Sequence, residues 1–178
     1  MAWNALFGLE SVSYPDPVAF IPHVVLFFLA CASFVDARTG RVPDWLIAAG
    51  LLIAFGSLAW FAGWWTAGQL FLWVLVAVCG LWLVNRLYVW LAGHDAFGFG
   101  DAKWTGLAVA GFGLVPVAWA WAIAAWLALV WLGVRWLWRK VSPAYCGHVY
   151  VHFAPFLFFG LLLVLYKDAL LALGAHAP

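Results

Sequence analysis

The sequence predicts an all-α protein, a polytopic bundle of about six helices that cross a lipid bilayer. Of its 178 residues, 69% are hydrophobic and only 8% are charged. A water-soluble domain has about 25% charged residues, so this chain lacks the polar side chains that would cover a surface in water. Several apolar runs reach the ~20 residues that a helix needs to cross a membrane. They do not alternate with period two, which argues against a transmembrane β-barrel.

Six apolar stretches account for most of the chain, which we treat as one membrane-embedded domain over residues 1–178. The predicted spans cover residues 18–35, 44–62, 69–91, 102–114, 116–138 and 151–173. Pro43 and Pro116 mark two of the starts, because proline suits the first turn of a helix. The fourth span is the shortest and covers roughly 20 Å, less than the ~30 Å hydrocarbon core. Residues 1–16 are expected to form a short lead-in.

Polar or glycine-containing turns separate the spans. The first span is predicted to end at Asp36, before a basic turn over residues 37–43. An uncharged turn with two tryptophans is predicted over residues 63–68, and a glycine-rich loop over residues 93–100. Glycine permits the sharp backbone bends that such connections need.

The basic residues predict the orientation of the bundle. Seven of the eight Lys and Arg residues flank the first, third and fifth connections. They are Arg38, Arg41, Arg86, Lys103, Arg135, Arg139 and Lys140. The positive-inside rule places these connections in the cytoplasm, and six spans then put both termini outside. We therefore expect a multi-pass protein of the inner (cytoplasmic) membrane, with Asp36 and Asp101 at its cytoplasmic face.

Charge and cysteine content exclude several classes of site. A net charge of +1 gives no argument for a nucleic-acid partner. Cys31, Cys79 and Cys146 are far apart, which excludes a four-cysteine zinc site. His148 and His152 are four residues apart, but two ligands without a third make no metal site, so no metal or cofactor is predicted. The N-terminus lacks the basic residues of a secretory signal peptide.

The stretch Gly98-Phe99-Gly100-Asp101-Ala102-Lys103 places a carboxylate between a glycine turn and an apolar helix. A charged group at the centre of a membrane helix costs roughly 2.5 kcal/mol or more, so an acid kept there indicates a functional site. The plainer interpretation is that Asp101 only caps the helix that follows. This stretch alone leaves both interpretations open.

Asp36 supplies a second carboxylate at the predicted depth of Asp101. Two carboxylates close together in a low dielectric do not ionise together, and the pair shares a proton. The ionised member can deprotonate water while the protonated member polarises a peptide carbonyl, which is the chemistry of an aspartyl protease. Proton- and ion-coupled transporters also use membrane carboxylates, so pairing alone leaves that alternative open.

The residues around both aspartates resemble the motifs of the type IV prepilin peptidases. Residues 36–44, Asp-Ala-Arg-Thr-Gly-Arg-Val-Pro-Asp, are similar to the family's first motif, an Asp followed by Thr and then by an aliphatic residue, Pro and Asn. Residues 98–103 match its second motif, Gly-x-Gly-Asp-x-Lys. Residues 153–157 resemble its Pro-Phe-Gly-Pro segment, with Ala154 in place of the glycine.

This resemblance implies a membrane-embedded aspartyl endopeptidase. Members of the family remove short basic leaders from pilins and pilin-like proteins, cutting after a glycine at the cytoplasmic membrane face. By the resemblance, Asp36 and Asp101 are the catalytic pair. The residues expected to shape or support the site are Thr39, Pro43, Asp44, Gly98, Gly100 and Lys103. The implied partners are a prepilin substrate helix and the lipid bilayer, with no cofactor.

The chain also departs from the family. Larger members carry a cytoplasmic domain with cysteine pairs and methylate the new N-terminus. This chain has neither feature, so it resembles the short peptidase-only form of tight-adherence (Flp) pilus systems and of archaeal preflagellin peptidases. Asp44 stands where Asn is usual. Signal-peptide peptidases share Gly-x-Gly-Asp but have Tyr-Asp at the first site, where this chain has Val35-Asp36.

Three further expectations concern the surroundings of the pair. Asp44 and Asp95 are predicted to flank the site and attract a basic leader. Lys103 is expected to pair with one of them, to line the site, or to extend to the membrane interface. Small residues of the fourth span, among them Gly106, predict close helix packing.

Overall fold

The computed structural model describes residues 18–95, 97–141 and 152–175, and within these ranges the chain forms only helices and turns. Six α-helices follow one another: α1 (Ile21–Thr39), α2 (Asp44–Ala62), α3 (Trp64–Ala92), α4 (Phe99–Phe112), α5 (Leu114–Val141) and α6 (Ala154–Ala175). The all-α prediction is confirmed for these residues. The predicted lead-in, residues 1–16, lies outside the described residues, and so does most of the predicted fifth connection, between residues 138 and 151.

Four of these helices, α1, α2, α3 and α5, are long and apolar enough to cross a membrane. α4 has 14 residues, and the apolar part of α6 assessed for membrane crossing, Ala154–Tyr166, is shorter than a full span. Large aromatic side chains point outward along the bundle, with Trp60 and Trp90 more than four-fifths exposed. Exposed apolar surface of this extent fits a bundle surrounded by lipid.

α4 is the central helix of the bundle. It contacts all five other helices, and eleven of its 14 residues are buried. A Cβ atom on Gly106 would lie 2.8 Å from Cγ2 of Val78, and one on Gly111 would overlap the side chain of Val25. The small residues therefore allow the neighbouring helices to approach α4 closely, as the sequence predicted.

Two predicted turns are shorter in the structure. α1 continues past Asp36 to Thr39 and ends at Gly40, whose φ is 68°. Asp36 therefore lies inside the last turn of α1, and the prediction that the helix ends there was wrong. The turn predicted over residues 63–68 reduces to Gly63, with φ of 89°, since α3 begins at the next residue. Glycine adopts positive φ without strain, so Gly40 ends α1 before a connection of residues 40–43, and Gly63 alone connects α2 to α3.

α4 and α5 begin earlier than predicted. α4 begins at Phe99 and not at residue 102, and α5 begins at Leu114 and not at Pro116. Proline is tolerated anywhere in a first turn, where the backbone N–H has no acceptor within the helix. Pro116 therefore marked the neighbourhood of a helix start and not its first residue.

Candidate active site

One open cleft, with a volume of about 1030 Å³, contains both predicted aspartates. It lies where α1 ends and where α2, α4 and α6 begin. Of the eight residues predicted for the site, seven line this cleft: Asp36, Thr39, Asp44, Gly98, Gly100, Asp101 and Lys103. Pro43 does not line it and instead serves as the N-cap of α2. The other lining residues are Gly40, Arg41, Val42, Phe99, His152 and Phe153.

Asp101 is the third residue of α4, and its side chain turns back towards the start of the helix. The backbone N–H of Gly98, the N-cap residue, donates a hydrogen bond of 3.2 Å to Oδ2 of Asp101. Asp101 is therefore not the N-cap itself. It occupies the third helical position, from which an acidic side chain satisfies the N–H of the capping residue. Asp101 therefore both stabilises the start of α4 and lines the cleft.

The Asp101 carboxyl is almost fully buried, with 8% of the residue exposed. It lies outside the four candidate spans. Burial, which leaves a charged carboxylate poorly solvated, and secondly the nearby Asp36 carboxylate together raise its pKa from the ordinary 3.8 to about 6. Asp101 is thus an acid that keeps its proton more readily than an exposed aspartate.

Asp36 extends from the last turn of α1 and is 7% exposed. The backbone N–H of Ala154, the first residue of α6, and the His152 ring both lie close enough to the Asp36 carboxylate to interact with it favourably. Helix N-termini carry a partial positive charge. Each acid is therefore held by a helix N-terminus, Asp101 by that of its own helix and Asp36 by that of α6.

The two predicted loop glycines differ in what they permit. A Cβ atom on Gly100 would lie 3.2 Å from Cγ2 of Val42, which is tighter than an ordinary contact. Gly100 therefore lets the start of α4 approach the turn between α1 and α2. A Cβ atom on Gly98 would lie 3.8 Å from Asp101 Oδ2, an ordinary contact distance. Space alone does not require glycine at position 98.

Lys103 forms an ion pair with Asp44, with 2.5 Å between Nζ and Oδ1. The pair links α4 to the start of α2 at the rim of the cleft. The ammonium also lies 4.7 Å from the centre of the Phe99 ring. Two of the predicted roles of Lys103, pairing with an acid and lining the site, therefore occur together. The extra carboxylate at position 44 is compensated by this partner.

Asp95 lies apart from the cleft. Its carboxylate accepts a 2.9 Å hydrogen bond from Nδ2 of Asn85, whose Oδ1 accepts one from the N–H of Phe97. Asn85 and Asp95 line a separate hollow of about 240 Å³ that shares only Gly98 and Phe99 with the cleft. The prediction that both acids flank the site therefore holds for Asp44, which lines the cleft, and is wrong for Asp95. That they attract a basic leader stays a prediction.

Several polar residues near the aspartates were not predicted. Nε1 of Trp104 donates to Oγ of Ser33 at 3.0 Å, and the Ser33 hydroxyl donates to the carbonyl of Ala154 at 3.2 Å. On the side of α4 that faces α5, Nε1 of Trp121 donates to Oγ1 of Thr105 at 2.9 Å. Ser33 and Thr105 could have been found from the sequence, because each is a hydroxyl residue inside an apolar helix and lies within about one turn of an aspartate. His152, which the sequence suggested only as a possible metal ligand, also lines the cleft.

Among the residues that the structure describes, no group of three or more His, Cys, Asp or Glu side chains is arranged to hold a metal ion. Cys146 and His148 lie outside those residues. What the cleft offers is two buried carboxylates that can share one proton, with open access for a water molecule and a chain segment. Such a pair can act as general base and general acid in one reaction.

Comparison of the chain with protein-family models, with curated proteins and with solved structures found no match.

Proposed function

We propose that this chain is a membrane-embedded aspartyl endopeptidase that removes the leader peptides of prepilins or pilin-like proteins. The observation that carries the proposal is the presence of Asp36 and Asp101 in one open cleft, both buried and each beside a helix N-terminus. The motif resemblance around both residues supplies the substrate class.

The reaction needs the pair to hold one proton. The ionised carboxylate removes a proton from water as that water attacks the scissile carbonyl carbon. The protonated carboxyl donates its proton to the carbonyl oxygen, which gives a tetrahedral diol. Collapse of this diol transfers a proton to the leaving nitrogen and breaks the C–N bond. The raised pKa of Asp101 suits it to the role of the initially protonated member.

The proposal includes six membrane crossings, with both termini outside and the cleft at the cytoplasmic face of the inner membrane. Supporting this orientation, Arg38, Arg41 and Lys103 lie at the cleft end of the helices, and basic residues favour the cytoplasmic side. α4, with 14 residues, extends about 21 Å at 1.5 Å per residue. A helix of this length cannot reach both surfaces of a ~30 Å core. In the proposal its first turn, which carries Lys103, lies at the cytoplasmic surface, where a peptide and water can reach Asp101.

The cleft suits a peptide segment as substrate. Its volume of about 1030 Å³ lies at the upper end of the range of about 300–1,000 Å³ typical of ligand pockets. The apolar part of a prepilin helix would remain in the bilayer beside the bundle, while its leader and cleavage site enter the cleft.

A proton- or ion-coupled transporter is the alternative use of the same carboxylates. Such a protein needs a polar route from the acids towards the opposite side of the membrane. Beyond Asp101, α4 is buried from Trp104 to Phe112 against its neighbours, mostly through apolar or small side chains. This packing favours a site that opens at one end of the bundle.

The test is leader removal from a co-expressed prepilin, scored by the change in its gel mobility and by mass spectrometry. We expect the wild-type chain to cleave the leader, and Asp36→Asn or Asp101→Asn to lower the rate by roughly 10²-fold or more, since Asn can neither accept nor donate the catalytic proton.

Asp95→Asn is the matched control, because Asp95 lies outside the cleft, and it should cleave at the wild-type rate. Full activity in either Asn variant of the pair would reject the proposed mechanism.

A further inference from the structure

We propose that Ser33 and Trp104 are positioning residues that hold Asp36 and Asp101 at a fixed separation. The proposal rests on the proposed function, because it assigns these two residues a role in the same site. Neither belongs to the motifs that suggested a peptidase. Hydrogen bonds of these two residues link the three helices that meet at the acids, α1, α4 and α6.

The first link joins α1 to α4. Ser33 precedes Asp36 by three residues on α1, and Trp104 follows Asp101 by three residues on α4. Residues three apart lie on the same face of a helix. The indole N–H of Trp104 donates to Ser33 Oγ at 3.0 Å. The two helices are therefore joined one turn deeper in the bundle than the carboxylates.

The second link joins α1 to α6 through one peptide unit. The Ser33 hydroxyl donates to the carbonyl oxygen of Ala154 at 3.2 Å, and the N–H of Ala154 lies close enough to the Asp36 carboxylate to stabilise it. Two side chains of α1, one turn apart, thus interact with the two polar groups of Ala154. A displacement of Ser33 would therefore also displace the donor that stabilises Asp36.

The surroundings make these bonds selective for one arrangement. Trp104 and Ala154 are fully buried and Ser33 is 4% exposed. An indole N–H only donates, whereas a hydroxyl donates once and accepts. Ser33 must therefore accept from Trp104 and donate to Ala154. Without water to replace a lost partner, an unsatisfied group costs about 1–3 kcal/mol, so other helix rotations are disfavoured.

The chain contains a matched control for this contact. Nε1 of Trp121 on α5 donates to Oγ1 of Thr105 on α4 at 2.9 Å. It is the same kind of bond between a tryptophan and a hydroxyl residue of a neighbouring helix, but it does not reach α1 and Asp36. Trp121→Phe removes a bond of the same kind, from a partly buried site, and should leave the separation of the acids unchanged.

The experiment compares Ser33→Ala, Trp104→Phe and Trp121→Phe in the purified full chain. Thermal melting in detergent establishes which variants remain folded. The first readout is kcat and KM for prepilin cleavage. The second is the pH dependence of Asp101 labelling by dicyclohexylcarbodiimide, which reacts with protonated carboxyl groups, followed by peptide mass spectrometry. This second readout needs no peptidase activity.

We expect Ser33→Ala and Trp104→Phe to lower kcat roughly ten- to hundredfold, with KM within about twofold, since misplaced reacting groups slow chemistry more than binding. Labelling of wild-type Asp101 should be half-maximal near pH 6, because its pKa is about 6. In both variants the midpoint should fall, because the Asp36 carboxylate moves away and no longer raises the pKa of Asp101. Trp121→Phe should keep the wild-type kcat and midpoint.

Unchanged kcat and labelling midpoint in the folded variants would overturn the proposal, even if the wild type cleaves prepilin. So would equal shifts in Trp121→Phe, which would show a general effect of lost stability. If no prepilin is cleaved but the midpoint shifts only in Ser33→Ala and Trp104→Phe, the positioning role stands and the peptidase function fails. Should one of these two variants not fold, the other decides.

Discussion

α4 and α5 follow each other directly in the chain but have opposite surroundings. α4 is short and is enclosed by all the other helices. α5 is twice as long and buries one narrow stripe, Val117, Ala120, Ala124 and Ala128, while Trp119, Trp126 and Trp138 are exposed. Both helices are strongly apolar. Inside a membrane, the enclosed helix is distinguished by small and polar residues, because lipid and protein interior are about equally apolar.

The largest expected difference between the two helices comes from the buried Asp101 carboxylate of α4. With a pKa of about 6 in the folded chain against 3.8 ordinarily, Asp101 binds its proton more tightly in the folded state. Stability therefore falls as pH rises from about 4 to 6, by about 3 kcal/mol in total, and then levels off. Asp101→Asn should remove this dependence and melt at a higher temperature than the wild type at pH 8.

Melting temperatures in detergent between pH 4 and pH 8 measure this effect, with Asp95→Asn as the control on the exposed loop. The advantage of Asp101→Asn should vanish near pH 4. A variant that melts below the wild type at pH 8 would contradict the expected cost of burying the charge.

A second contrast uses one glycine from each helix. A Cβ atom at Gly111 of α4 would overlap Val25, whereas nothing lies within 4 Å of a Cβ atom at Gly133 of α5. Gly111→Ala should destabilise the chain by about 1–3 kcal/mol through overpacking. Gly133→Ala should be neutral or stabilise it by up to ~1 kcal/mol, since alanine favours the helix.

Thermal melts of the two variants under identical conditions make this comparison. Equal melting temperatures would mean that α1 can move away from α4 at little cost, contrary to the enclosed position described for α4.

The smallest expected effect is at the rim, where α4 meets α2. The Asp44 side chain is 77% exposed and that of Lys103 28%, and exposed ion pairs contribute only about 0–1 kcal/mol. Lys103→Met and Asp44→Asn should each change the melting temperature little. A double-mutant cycle of the two should give a coupling energy that decreases in high salt. Coupling that is independent of salt would show that the pair is shielded from solvent.

The sequence predicted the helical class and most of the cleft, because composition, helix length and two compact motifs carry that information locally. Asp36, Asp101 and five of their six predicted neighbours line one cleft. The Ser33–Trp104 bond could not be predicted, since it depends on how α1 and α4 are rotated about their axes. Nor could the pairing of Asn85 with Asp95, which depends on the path of the glycine-rich loop. Uniformly apolar helices give no hydrophobic stripe from which to read rotation.

The use of main-chain amides to hold both acids has a consequence for how this cleft can vary. Every amino acid except proline supplies the N–H groups found at Gly98 and Ala154. Under the proposed function, side chains around the opening, such as Arg41 and Phe99, can therefore change to fit a different leader peptide without disturbing the main-chain groups beside the carboxylates. Recognition and chemistry are thus separable, and one scaffold can acquire new substrates while its proton chemistry stays the same.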